Sequence, residues 1–335
     1  MKAIYQEGAM ELKGFGSVVA LAALLSFMCA AQAAAQQQQL VGFASPAAGG
    51  LSYVTVAGMV NTVNKYMPGN VRFMHEATTG TLDMVRRLQL AYGQKKEMMA
   101  AFGTPDAWNA YKGEAEYKGK ALPQLRAVVF NHVVDLYLAV PANSPIKSYA
   151  DIKGKRIGMG GPGSSPANLG HLILEYYGVT KKDFKPFYYV YKETVEGIQD
   201  GSLDGGFLAG GYPMPSYLEL STRFNARIVP VDDAIARKII ADHPGHYQNV
   251  VKAKSYKGVE QDTPILGWTS AVWTHAAASN DLIYSFLKTL FDHKEEYYQI
   301  HQDARGLTLE NATKSILVPF HPGAEKYLKE KGAIK

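Results

Sequence analysis

The residues best suited to chemistry are small and polar. They fall in three short runs: Ala48-Gly49-Gly50-Leu51-Ser52, Thr78-Thr79-Gly80-Thr81, and Gly160-Gly161-Pro162-Gly163-Ser164-Ser165. Each run follows an apolar segment and opens a stretch of helical pattern. A helix start presents unpaired N–H groups and the positive end of the dipole, so it favours a carboxylate or a phosphate. Glycine lets a ligand approach the backbone closely, and Ser or Thr hydroxyls add donors. Ser165-Pro166 fits an N-cap followed by proline at the first helical position. Such residues cap helices in every kind of protein, so one loop alone says little. Three loops of one design, divided between two blocks of the chain, point to a binding cleft. Tyr53, beside the first loop, is within reach of a ligand there.

Other constellations are weaker. Gly158-Met159-Gly160-Gly161-Pro162-Gly163 matches a dinucleotide fingerprint, with Glu193 expected at the end of the following strand as a ribose-binding acid. Against it, the block has no partner half, and Pro162 removes an amide that a pyrophosphate would use. His243-Pro244-Gly245-His246 has a metal-like spacing, but its Pro-Gly centre reads as a surface turn without an acidic third ligand. No G-x-S-x-G or H-E-x-x-H motif occurs. The reading is therefore of a protein that is not an enzyme and needs no cofactor and no metal.

The elements that must position the three loops alternate short strands with helices, the pattern of sheets with helices on their faces. Strands are expected at 40–44, 71–76, 125–129, 136–140, 156–159, 187–191, 206–209 and 265–276. Helices are expected at 53–67, 82–92, 166–177, 195–199 and 281–293, and the stretch between 92 and 125 is read as irregular. The second block of strand–loop–helix units is enclosed by segments of the first. That arrangement describes two α/β lobes joined by crossing strands: 40–135 with 270–335 as lobe 1, and 136–269 as lobe 2.

Ahead of the first strand, a lysine-bearing start leads into the apolar run Phe15–Met28 and then small residues with Ala31-Gln32-Ala33 and Ala33-Ala34-Ala35 endings. This is the pattern of a signal peptide over residues 1–35, with Met10 an alternative start. The apolar run is short for a membrane span. Cys29, the only cysteine, lies inside it, and its preceding residues do not suit lipid attachment. A mature chain without cysteine has no disulfides, thiolate metal sites or cysteine nucleophiles. With 47% hydrophobic residues, its core alone must stabilise it. The net charge of +5 is dispersed, without the basic block that tracks a phosphate backbone, which argues against nucleic acid.

Taken in order, the motifs resemble those of the TAXI receptors, the TRAP-associated extracytoplasmic immunogenic proteins, over residues 40–332. The markers are Gly49-Gly50-Leu51-Ser52-Tyr53, Thr79-Gly80-Thr81, Ile152-Lys153-Gly154-Lys155-Arg156-Ile157, Gly163-Ser164-Ser165, Asp200-Gly201-Ser202-Leu203-Asp204-Gly205, Ala209-Gly210-Gly211-Tyr212-Pro213 and His321-Pro322-Gly323-Ala324-Glu325-Lys326-Tyr327. The resemblance implies a two-lobed, type II-like periplasmic-binding-protein fold, each lobe a sheet flanked by helices, joined by crossing hinge strands. It further implies a monomeric periplasmic receptor that closes on a small organic anion, an organic acid or amino acid, and docks on a TRAP membrane subunit. The ligand residues it implies are Gly50, Leu51, Ser52, Tyr53, Thr79, Gly80 and Thr81 from lobe 1, with Gly163, Ser164, Ser165, Gly211 and Tyr212 from lobe 2. The chain departs from the family at Phe102–Gly113, where Asp106 and Trp108 stand in for the usual polar contacts, and at Asn131-His132. Both changes are expected close to the pocket, and Trp108 would add apolar area for a larger solute. Alternative roles are a sensory module and an enzyme on the same fold, such as the pyrimidine-precursor synthases of thiamine biosynthesis.

Overall fold

A computed structural model describes residues 38–48 and 50–334, so the expected signal peptide, Cys29 and Gly49 lie outside the described residues. Residues 38–40 and 68–72 belong to a small unit, in which the Gln39 N–H donates to the Asn70 carbonyl at 2.8 Å. The remaining described residues belong to a second unit, which contains the three loops.

The longest strands in the described residues carry the architecture. β4 (Leu125–Pro141) and β10 (Thr263–His275) are almost wholly buried along their lengths. Their apolar runs do not alternate with polar residues, as befits strands covered on both faces. They pair antiparallel, from Leu266 opposite Leu136 to His275 opposite Leu125, with register shifts after Ser270 and Val272. Around them the order is β2-β1-β3-β10-β4-β7-β5-β6, with β8 on β4 and β9 on β10. The flanking strands are β1 (Gln39–Ser45), β2 (Val71–Ala77), β3 (Met98–Gly103), β5 (Arg156–Gly158), β6 (Lys185–Phe187), β7 (Gly205–Gly210), β8 (Ala226–Val229) and β9 (His246–Val251).

Helices cover this sheet: α1 (Leu51–Tyr66), α2 (Thr81–Gln94), α3 (Thr104–Lys112), α4 (Ser165–Tyr176), α5 (Tyr191–Gln199), α6 (Pro215–Phe224), α7 (Asp233–Asp242), α8 (Asn280–Asp292), α9 (Lys294–Tyr297) and α10 (Pro322–Glu330). α8 shows why they sit as they do. Leu282, Ile283, Phe286, Leu287 and Leu290 recur at three- and four-residue spacing and are buried, and the Ser279 side chain caps the helix by accepting from the Leu282 N–H.

Apolar packing separates along the sequence. One buried cluster draws on residues 44–127 and 271–318, with Trp273 and Phe102 among its large members. Two others draw on residues between 134 and 268, one around Phe207, Ile157 and Leu266 and one around Tyr137, Tyr217 and Leu208.

Several expectations need correction. Residues 92–125, read as irregular, contain β3 and α3. β3 is Met-Met-Ala-Ala-Phe-Gly, fully buried but poor in the β-branched residues that announce a strand. Thr104-Pro105 does carry a legible helix-start signal, proline in the first turn. The strands expected at 125–129 and 136–140 are one strand, because polar Asn131 and His132 stay buried within it. The strand expected at 187–191 ends at Phe187. Tyr191 opens α5, and Glu193 caps it by accepting from the Val190 N–H at 3.1 Å. That placement removes the ribose-binding role considered for Glu193. Residues 213–251, left unassigned from sequence, contain α6, β8, α7 and β9.

Candidate functional site

Each of the three loops ends β-structure and starts a helix: the first between β1 and α1, the second between β2 and α2, the third between β5 and α4. They meet at one cavity of about 70 Å³. Its wall includes Gly50, Leu51 and Ser52 from the first loop, Thr79, Gly80 and Thr81 from the second, and Gly160, Gly161, Ser164 and Ser165 from the third. The approach is close. A Cβ on Gly161 would stand 2.8 Å from the Thr79 carbonyl oxygen, so only glycine fits there.

The helix starts differ in how they are capped. Gly50 and Gly80, the N-caps of α1 and α2, have no side chain to satisfy the first N–H groups. Ser164, the N-cap of α4, accepts from the Ala167 N–H. Two of the three starts therefore keep donors that no side-chain cap takes.

Every side chain in this wall is uncharged. Apolar Phe102, Val134, Ala209 and Trp268 complete it with Tyr191, whose ring edge would lie 3.2 Å from a Cβ on Gly50. The hydroxyls are linked across the loops: Thr81 Oγ1 and Ser165 Oγ lie 3.2 Å apart, and Ser165 Oγ donates to Asp106 Oδ2 at 2.5 Å. Asn168 Nδ2 donates to the other oxygen of Asp106 and to Glu116 Oε1, both at 2.8 Å. Burial, and then the neighbouring Glu116 carboxylate, push Asp106 up to about 7. Asp106 and Trp108 line a second, wider pocket of about 720 Å³ that shares Ser165 and Trp268 with the first.

The other expected residues stand elsewhere. The Tyr53 ring packs against His75, with centroids 4.6 Å apart. Gly163 faces Leu82, and Gly211 faces Asp303 and Leu51. The Tyr212 hydroxyl donates to the Ser255 carbonyl at 3.2 Å, and its ring meets Tyr256 edge-on. Asn131 lies in the core, where its amide donates to Thr55 Oγ1 at 3.1 Å and its carbonyl accepts from the Tyr297 hydroxyl at 3.4 Å.

His132 contacts Ser52 and is not part of the cavity wall. Its Nδ1 sits 2.9 Å from the Val133 carbonyl, which can only accept, so Nδ1 carries the proton. Nε2 then accepts from the Ser52 hydroxyl at 2.9 Å. Burial lowers His132 to about 4, so the ring is neutral at physiological pH.

Sequence reasoning missed Val134, Val190, Tyr191, Ala209 and Trp268 in the wall, whereas Phe102 and Gly103 open the segment expected close to the pocket. A tryptophan within a long apolar strand was a signal for Trp268. The others carry none, because they reach the cavity only through the pairing of distant strands. The His243–His246 segment is a turn into β9, and the His246 ring has a buried Nδ1 without a hydrogen-bond partner. Among the described residues no group of three or more His, Cys, Asp or Glu side chains can hold a metal ion, and no helix is long and apolar enough to cross a membrane.

A mixed α/β sheet with helix starts gathered around a cavity is the architecture of the periplasmic binding proteins. The fold matches PhnD1 of Prochlorococcus marinus, solved with methylphosphonate, at a TM-score of 0.52 and 12% identity, over 88% of this chain and 99% of that one. It also matches a binding-protein component of an ABC phosphonate transporter from Pseudomonas aeruginosa, at 0.51 and 12%, over 80% and 79% of the two chains. The sequence assigns the family more closely: residues 43–332 match its model, and the chain belongs to the NMT1-like family.

Proposed function

We propose that the protein is an extracytoplasmic solute receptor, of the TAXI kind that the motif order resembles, which captures a small organic anion and delivers it to a TRAP membrane subunit. The observation that carries this reading is the cavity itself: uncharged walls, three helix starts and a set of Ser and Thr hydroxyls around one small space. Such a site offers N–H and O–H donors to an anion without an arginine, and helix dipoles add to them. A water molecule needs roughly 10–15 Å³ on the same measure, so about 70 Å³ suits the carboxylate end of a small metabolite. The lobes would be 40–135 with 270–335 and 136–269, hinged on β4 and β10, with the ligand favouring the closed arrangement. Export by the 1–35 segment would place the receptor in the periplasm.

A second reading keeps the receptor and changes the cargo. The names of the two fold neighbours favour a phosphonate and an ABC-type membrane partner.

Both readings meet the same experiment. Protein purified from the periplasm is titrated with 2-oxoglutarate, succinate, L-glutamate and methylphosphonate, following thermal stability and heat. Saturable binding without turnover is expected, raising the melting temperature as ligand exceeds Kd. Thr81→Ala with Ser165→Ala should weaken it about a hundredfold or more while the fold stays intact, since two hydrogen bonds to a charged group are removed and each contributes about 1.5–3 kcal/mol. No binding by any of the four, or a double variant that binds as the parent does, would sink the assignment.

A further inference from the structure

The cavity wall holds no charge, yet a carboxylate stands one hydrogen bond behind it. Asp106 is 3% exposed, in the first turn of α3, and among the described residues no Lys, Arg or His forms an ion pair with it. Its nearest charged neighbour has the same sign: Glu116, in the turn after α3, shares the Asn168 amide with it. The other titratable groups near it border the wider pocket. Glu114 comes from the same turn, which also sets the buried Tyr117 near Asp106; His171 and Glu175 come from α4, and Lys181 from the segment after it. Asp242 ends α7, His243 lies in the turn after it and His246 begins β9, while β10 contributes only the uncharged Trp268. Burial lowers His171 and His246 to about 4, so neither offers a positive charge near neutral pH.

The direction of the Ser165 proton follows the state of Asp106. An ionised carboxylate only accepts, so Ser165 must give its O–H to Asp106. Thr81, 3.2 Å away, can then give its own proton to the Ser165 oxygen, and both hydroxyls are spent inside the protein. A protonated Asp106 can donate to Ser165 Oγ instead, which turns the Ser165 O–H toward the cavity. An anion touching Ser165 would also lie on the order of 5 Å from Asp106, given hydrogen-bond lengths. Two negative charges at that separation, with little water between them, do not both persist.

We infer that Asp106 is a proton-linked positioning residue: the anion enters the cavity together with one proton from solvent, which Asp106 takes up, and Ser165 then donates its hydroxyl to the ligand. When the anion leaves, the proton returns to solvent. This rests on the anion-receptor reading above. Because burial holds free Asp106 near neutrality, the linkage falls in an accessible pH range.

The test uses whichever of 2-oxoglutarate, succinate and L-glutamate gives the largest thermal shift, and follows it from pH 7 to 9, where each keeps its carboxylates ionised. Titration calorimetry at pH 8, in buffers of different ionisation enthalpy, counts protons taken up per anion. A value near one is expected, with Kd rising about tenfold for each pH step above 7. That measurement needs no variant. Asp106→Asn, permanently neutral, should bind with one affinity from pH 7 to 9. Binding with no proton uptake and a flat profile in the parent protein overturns the linkage and leaves the receptor reading standing. Absence of binding at pH 6 by all three anions removes the carboxylate-receptor reading and the linkage with it.

Discussion

Acidification should destabilise this protein through His132, and the size of the effect follows from its surroundings. The imidazole is 1% exposed, with Nδ1–H directed at the Val133 carbonyl and Nε2 accepting from Ser52. Burial takes its pKa from 6.5 to about 4. Between those values the unfolded chain binds a proton that the folded chain refuses. Stability is therefore whole above pH 6.5 and is lost as pH falls toward 4. At about 1.4 kcal/mol per pKa unit, the gap corresponds to roughly 3 kcal/mol. His171, His246 and His321 are also lowered to about 4, so the acid limb of the parent protein has several sources. A variant isolates one of them. Urea unfolding of the parent protein and of His132→Gln, at pH 7.5 and pH 4, gives four free energies. The variant should carry a fixed penalty at both pH values and lose about 3 kcal/mol less than the parent between them. Equal losses would refute a neutral buried His132. A loss by the parent that is smaller than the variant's would reverse the sign argued here.

Two further outcomes concern packing. Trp273→Ala should lower unfolding free energy by about 3–5 kcal/mol in denaturant titration, because the indole is fully buried against Phe102 and donates to the Phe102 carbonyl at 3.0 Å. Gly163→Ala should cost about 1–3 kcal/mol in the same assay: φ is +62° there, and the added Cβ would meet Leu82 Cδ1 at 2.1 Å. Gly163 thus seats the third loop on α2 rather than lining the cavity, and its substitution should disturb stability before it disturbs binding.

Much of the local structure was written in single segments. The runs at 48–52, 78–81 and 160–165 announced helix starts because Gly, Ser, Thr and Pro act on the nearest few backbone groups, and all three do open helices. Ser279 and His321 cap α8 and α10 for the same local reason. β3 and β9 were not legible, since a buried Met-Met-Ala-Ala-Phe-Gly strand and a polar edge strand lack the alternation by which strands are recognised. The chemistry of the site was divided in the same way. Which residues are donors was evident from their types, whereas which donors face one another depended on the pairing of β10 with both β3 and β4. That pairing carries Trp268 to the cavity, sets Asp106 behind Ser165, and puts His132 beneath Ser52. These contacts join residues 59 to 80 positions apart in the chain, or more. Sequence alone thus determined the donors and the helix starts that display them. The tertiary structure alone decided that a buried carboxylate and a neutral histidine hold those donors in place, because burial and distance arise only when remote segments pack together.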